Sequence, residues 1–165
     1  MQWQEIDFNA AIWAIPAEKM KMSNDHLVPL CRQAIEILKE IEPLTGREPY
    51  VFPRQGKRGG HMAEDTLLKA MYKSGKDQGR EYQGKMTIHG MRTTFKTIGL
   101  EVLGYQEPVI EAVLAHAPND SNGTSYNRAT YLQQRRVMLQ AWADWLDGLR
   151  DVAVQKDNVV QFRQA

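Results

Sequence analysis

The sequence predicts a mainly α-helical domain that carries one small antiparallel β-sheet of three strands. Three observations lead there. The first thirty residues hold short, β-rich apolar pieces cut by proline and asparagine; the apolar spacing then changes to three and four residues; and stretches rich in turn formers separate the later periodic segments. A chain of 165 residues, 42% hydrophobic and 25% charged, is enough for one globular domain with its own core and too short for two ordinary ones.

The strands come first. Ile6 and Phe8, then Ile12, Trp13 and Ile15, then Leu27 and Val28 form three short runs, with Asn9 and Ala10 between the first two and Pro16 and Pro29 punctuating the rest. Residues 17–25 are a polar hairpin containing Lys19 and Lys21. Ala34, Ile37, Leu38 and Ile41 recur at helical spacing and predict an amphipathic helix that ends between Pro43 and Gly46. Residues 54–61 form a glycine- and cation-rich loop without periodicity. A helix over residues 64–73 turns Leu67, Leu68 and Met71 inward, and another, starting near Thr87, has Met91, Phe95, Ile98 and Val102 as its apolar stripe. Ile110, Val113 and Leu114 mark a shorter helix, residues 117–124 a loop of turn formers, and residues 125–149 a long helix with Leu132, Met138 or Leu139, Trp142, Trp145 or Leu146, and Leu149 at helical spacing. The tryptophans read as packing residues rather than as platforms for stacked bases. Residues 1–150 thus make up the domain, and residues 151–165, which lose the amphipathic order, a loosely ordered tail.

Composition excludes several classes of function. No apolar run approaches the roughly 20 residues that cross a bilayer, and the N-terminus lacks the basic start and apolar core of a signal peptide, so the expected location is the cytoplasm. Cys31 is the single cysteine, which rules out an internal disulfide and any cysteine-rich zinc site. Net charge is only +1, yet the cations are unevenly placed: Arg54, Lys57 and Arg58 form one group, and Lys69, Lys73, Lys76, Arg80 and Lys85 a second, while acids gather in residues 36–48. One basic face on a neutral protein is the expectation, with Arg54, Lys57, Arg58, Lys73 and Lys76 as phosphate-contacting candidates. No His/Asp/Glu cluster has metal-ligand spacing, so a metal-dependent nuclease is not favoured and no metal or cofactor is expected.

The polar residues with chemical potential lie in the second half. In Thr87-Ile88-His89-Gly90-Met91-Arg92 the imidazole and the guanidinium are three residues apart and share a helix face beside the apolar stripe. Leu114-Ala115-His116 closes the next helix, and Tyr126 follows ten positions after His116, across the turn-rich loop. Taken alone, His-x-x-Arg is weak; His, Arg, His and Tyr in this order are specific.

This ordered set resembles the closing signature of the tyrosine site-specific recombinases, the phage integrase family. The stretch from Ser125-Tyr126-Asn127-Arg128 through Arg135-Arg136 to Gln140-Ala141-Trp142-Ala143-Asp144-Trp145-Leu146 looks like the end of prophage and genomic-island integrases in particular. Upstream, Trp3-x-Glu5-Ile6-Asp7 resembles the family's first strand, and Lys21, shortly before Val28-Pro29-Leu30, the lysine of its β-hairpin. The resemblance implies the recombinase catalytic-domain fold and site-specific DNA recombination, the integration and excision of a prophage or genomic island. It further implies double-stranded attachment-site DNA as partner, a tetramer of integrase protomers on that DNA, an excision factor, a host DNA-bending protein and a place at the bacterial nucleoid. The family's first catalytic arginine, in a Gly-x-Arg-x-x-Glu stretch, has no counterpart, because no arginine precedes Arg32. The expectation is therefore an N-terminally truncated catalytic domain, inactive by itself; the competing reading is a DNA-binding or assembly segment without chemistry.

The implied roles follow from phosphoryl chemistry. Tyr126 attacks the phosphodiester and stores its energy in a 3′-phosphotyrosyl link, so that strands can be resealed without ATP. Arg92 and His116 offset the negative charge that builds on the phosphoryl oxygens. His89 is placed to take the phenol proton, and Lys21 to supply one to the departing 5′-oxygen. Tyr131 is the rival nucleophile, and His26 and His61 read as surface residues.

Overall fold

The computed structural model describes residues 1–20, 24–54, 56, 60–73, 84–116 and 131–157. Within them the order is β1 (Ile6–Asp7), β2 (Ile12–Ile15), β3 (His26–Pro29), α1 (Arg32–Thr45), α2 (Asp65–Lys73), α3 (Ile88–Glu101), α4 (Glu107–Val113) and α5 (Leu132–Asp157), with 3-10 turns at Trp3–Glu5 and Ala17–Lys19. The fold is mainly helical with one three-stranded sheet, ordered β1-β2-β3 and antiparallel throughout. Ile6 faces Trp13 in the first pair and Trp13 faces Val28 in the second, so the apolar residues read from the sequence lie in register across the sheet.

Two apolar clusters hold the described chain. One is Ile6, Leu38 and Val51 with Trp3, Phe8, Trp13, Leu30 and Ile41, where the sheet meets α1. The other is Phe95, Val109, Ile110, Leu114 and Met138 with Trp142 beside them, where α3, α4 and α5 converge. Gly99 permits that convergence: a Cβ there would lie 2.9 Å from Met138 Cε and 3.2 Å from Ile110 Cδ1. Trp142 meets Phe95 edge-on at 5.1 Å and stacks with Trp145 at 5.4 Å, as expected of packing residues.

A polar seam joins the two clusters. The Arg32 amide donates to Gln140 Oε1 (2.9 Å), Gln33 Nε2 donates to Asp144 and Asp147 (2.8 Å each), and Arg136 donates to the Ala10 carbonyl (3.0 Å). At its centre Arg135, 2% exposed, donates to the Leu27 carbonyl (2.6 Å) and lies 3.2 Å from His26 Nε2. Its Nε is buried and has no hydrogen-bond partner among the described residues. His26 is therefore half-buried rather than a surface residue; burial, with the Arg135 charge adding to it, pushes its pKa down to about 4.

The hairpin is fastened from the other side by Glu5. This carboxylate is buried, accepts from the Gln2 amide (2.9 Å) and the Trp13 indole (3.1 Å), and pairs with Lys19. Burial pulls its pKa up, but Lys19 and the two N–H donors outweigh that effect and leave it below the ordinary carboxylate value.

Several expected core positions are exposed. Ile37 on α1, Leu67 on α2, Met91 on α3 and Val102 just past its end, and Leu146 and Leu149 on α5 are all exposed. On α3 the reason is geometric: the helix meets the bundle through Phe95 and Gly99, so its two ends overhang the contact. The 26-residue helix α5 likewise outruns its partners. Its described part starts at Leu132, after Tyr131, whose φ of 54° is a left-handed backbone that a continuous helix cannot contain, and it continues past Arg150 to Asp157; residues 125–130 of the expected helix lie outside the described residues. Pro43 sits inside α1, whose last turn survives the loss of one amide donor and stops at Thr45, as expected. The loop over residues 54–61 is closed at its base, where Pro53 bridges His61 and the Arg54 amide donates to Gly60 O (2.8 Å). Among the described residues no helix is long and apolar enough to cross a membrane.

Candidate nucleic-acid cleavage site

The candidate site lies where α3 passes the C-terminal end of α4. Thr87 caps α3, its hydroxyl accepting from the Gly90 amide at 2.9 Å, so the helix starts one residue before His89. His89, Arg92 and Lys96 then follow at helical spacing along one flank of α3, away from the Phe95 contact.

Helix α4 ends in a Schellman turn. Ala115 takes the left-handed conformation (φ 54°), and the His116 amide donates back to the Glu111 carbonyl at 3.0 Å. The chain reverses there and swings the His116 ring toward α3. Arg92 meets it: one guanidinium nitrogen donates to the Leu114 carbonyl at 2.5 Å and lies 3.0 Å from His116 Nε2. The first of these contacts uses a carbonyl left without an intrahelical partner at the end of α4, where the helix dipole also favours a cation. Arg92 is thus aimed by backbone geometry.

Glu111 completes the arrangement from behind. One carboxylate oxygen pairs with His116 Nδ1, while the other lies 2.6 Å from Lys96 Nζ, which also reaches Glu107 at 2.8 Å. Lys96 foremost, and His116 after it, hold the Glu111 carboxyl below its ordinary pKa; Glu107 and Glu111 together raise that of Lys96. Glu111 and Lys96 were not singled out from the sequence. The signal was there, since Glu111 lies one helical turn before the Leu-x-His motif, but only the turn at Ala115 brings its side chain to His116.

Of the residues expected in the site, Arg92 and His116 are brought into contact. His89 stands on the same flank of α3, exposed and making no side-chain hydrogen bond among the described residues. Lys21 and Tyr126 lie outside the described residues, as do Lys57, Arg58 and Lys76. The other hairpin lysine, Lys19, is engaged by Glu5. Arg54 is exposed at the base of its loop, and Lys73 is the last residue of α2. Tyr131 is half-buried against the α3–α5 core. Cys31 is half-buried at the start of α1. Among the described residues no three His, Cys, Asp or Glu side chains come together as a metal site.

Comparison with known proteins supplies the context for this geometry. A family model described as the phage integrase family matches residues 1–133. The chain is 41% identical over 143 residues to the prophage integrase IntA of Escherichia coli K12, which covers 87% of this chain and 33% of that protein. It is 36% identical over 148 residues to the integrase of Shigella phage Sf6 (89% of this chain, 37% of that protein) and 31% identical over 159 residues to the integrase of Enterobacteria phage P4 (88% and 35%). No solved structure matches. The chain spans about a third of the length of these curated relatives. With a family match over most of its length and several relatives above 30% identity, the chain belongs to the phage integrase family.

Proposed function

We propose that this chain forms the catalytic segment of a site-specific DNA recombinase that integrates and excises a prophage or genomic island, cleaving and rejoining strands through a tyrosine. Tyr126 attacks the scissile phosphorus; its phenolic proton goes to His89, and the bond to the 5′-oxygen breaks as Lys21 gives that oxygen a proton. A 3′-phosphotyrosyl link and a free 5′-hydroxyl result, and the reverse steps rejoin strands. Arg92 and His116 bind the non-bridging oxygens and offset the charge of the transition state. Arg54, Lys57, Arg58, Lys73 and Lys76 contact the backbone of double-stranded attachment-site DNA. Four protomers assemble on that DNA in the bacterial cytoplasm, with an excision factor and a host bending protein setting direction.

The observation that carries this reading is the contact of Arg92 with His116. Two groups 24 positions apart in sequence, each capable of binding a phosphoryl oxygen, meet at 3.0 Å on an exposed edge. The test joins the chain to the upstream part of its IntA relative and incubates the product, in EDTA, with a library of nicked duplexes. A covalent adduct mapping to Tyr126 and lost in Tyr126→Phe is expected. An adduct on Tyr131, or cleavage that requires a divalent metal, refutes the mechanism.

A further inference from the structure

The candidate site contains an acidic residue to which the proposed chemistry assigns no part. Glu111 touches His116 twice: its backbone carbonyl accepts the His116 amide, and its carboxylate faces the ring at Nδ1. That carboxylate is held from the opposite side by Lys96, so it cannot turn away without breaking an ion pair. Its side chain is 25% exposed, against 49% for His116, and it stands behind the imidazole rather than beside the open edge.

We propose that Glu111 is a positioning residue that holds His116 in the tautomer protonated on Nδ1, with Nε2 pointing at Arg92. The inference rests on the reading of Arg92 and His116 as phosphate-binding groups. The hydrogen-bonding logic leaves one arrangement for a neutral ring. A carboxylate can only accept, so Nδ1 must carry the proton; a guanidinium can only donate, so Nε2 must present its lone pair. Both contacts are satisfied together, and the reverse tautomer would face a lone pair to a carboxylate on one side and an N–H to a guanidinium on the other. Without DNA, then, His116 braces Arg92. When a phosphoryl oxygen takes over the Arg92 donor, His116 can serve that oxygen only by gaining a proton at Nε2, and the carboxylate at Nδ1 is placed to balance the imidazolium that forms. The same carboxylate–imidazole arrangement fixes ring orientation in other sites where a histidine acts through its far nitrogen.

The test is nuclear magnetic resonance of the 165-residue chain, with long-range proton–nitrogen correlations of the imidazole at about pH 8, where an ordinary histidine is neutral. Wild type should show His116 with a proton on Nδ1. Glu111→Gln should keep that tautomer, since its amide oxygen still accepts, whereas Glu111→Ala should release the ring to a mixture dominated by Nε2–H, with the Phe95 and Ile110 signals unmoved. A wild-type ring protonated on Nε2, or a Glu111→Ala ring unchanged from wild type, overturns the proposal. Titration with a short DNA duplex tests the underlying reading separately. The His116 Nε2 and Arg92 signals should move on DNA addition; if they stay still while the tautomer behaves as described, Glu111 positions a histidine that does not meet phosphate.

Discussion

Replacing Lys19 should cost more stability than replacing the buried Glu5 it serves. In Lys19→Met the carboxylate, whose side chain is 5% exposed, keeps the Trp13 indole and the Gln2 amide but loses its only cation among the described residues. Removing one partner of a buried pair typically costs about 3–5 kcal/mol. Lys19 is itself 39% exposed, so solvent screens part of the interaction and about 2 kcal/mol is the better expectation. In Glu5→Gln the amide oxygen can still accept from Trp13, and the released ammonium reaches water, so the loss should be about 1 kcal/mol. The double variant should cost little more than Glu5→Gln, giving a coupling of roughly 1–2 kcal/mol. Urea unfolding at neutral pH, followed by the fluorescence of tryptophans including Trp3 and Trp13, measures all three; Lys19→Met should also melt about 4–8 °C below wild type. The pH dependence has a definite sign. Because the folded pKa of Glu5 lies below its ordinary value of 4.5, the pair's contribution is present above that value and lost as pH falls through the folded pKa, so wild type and Glu5→Gln should converge in acid. A larger loss in Glu5→Gln than in Lys19→Met, or a coupling below about 0.3 kcal/mol, would refute Lys19 as the anchor of the hairpin.

Ala115→Gly should stabilise the chain by about 1 kcal/mol, because it removes a Cβ from a left-handed position, and a lowered melting temperature would contradict the Schellman turn beneath His116. His26, whose pKa is pushed down to about 4, should make stability fall as pH drops from about 6.5 toward 4, since the unfolded chain binds the extra proton there; allowing for its half-exposed position the loss is about 2 kcal/mol, and His26→Gln should flatten that slope in chemical denaturation. DNA binding by the chain should weaken steeply between about 50 and 200 mM salt, and an unchanged affinity would dispose of the basic face. In the chain joined to the upstream part of an integrase, Lys21→Ala should recover on a substrate whose bridging 5′-oxygen is sulfur, a leaving group that needs no proton, whereas Tyr126→Phe should stay dead; absence of rescue would remove Lys21 as the general acid.

Local patterns sufficed for much of this molecule. The short apolar runs around Ile6, Trp13 and Val28 identified three strands that pair in register, and the start of α3 near Thr87 and the end of α4 near Leu114 could be placed from neighbouring residues alone. The family, too, was legible, because it is written in the order of His89, Arg92, His116 and Tyr126, and order survives without coordinates. These features depend on interactions among residues close in sequence, or on sequence itself.

What required the tertiary structure was every choice between faces and partners. Ile37, Met91, Val102 and Leu149 carry the same periodic signal as Leu38, Phe95 and Met138, yet only the latter are covered, since burial depends on which helix crosses where. The resemblance singled out Lys21 in the hairpin and left Lys19 without a part; Glu5, distant in sequence, engages Lys19. His26 read as a surface residue, and the docking of α5 on β3 buries it in part against Arg135, which is itself buried. The pairing of Arg92 with His116, with Glu111 and Lys96 behind them, arises because a left-handed residue at Ala115 turns one helix end back onto the flank of another, and such a contact has no period for a sequence to display.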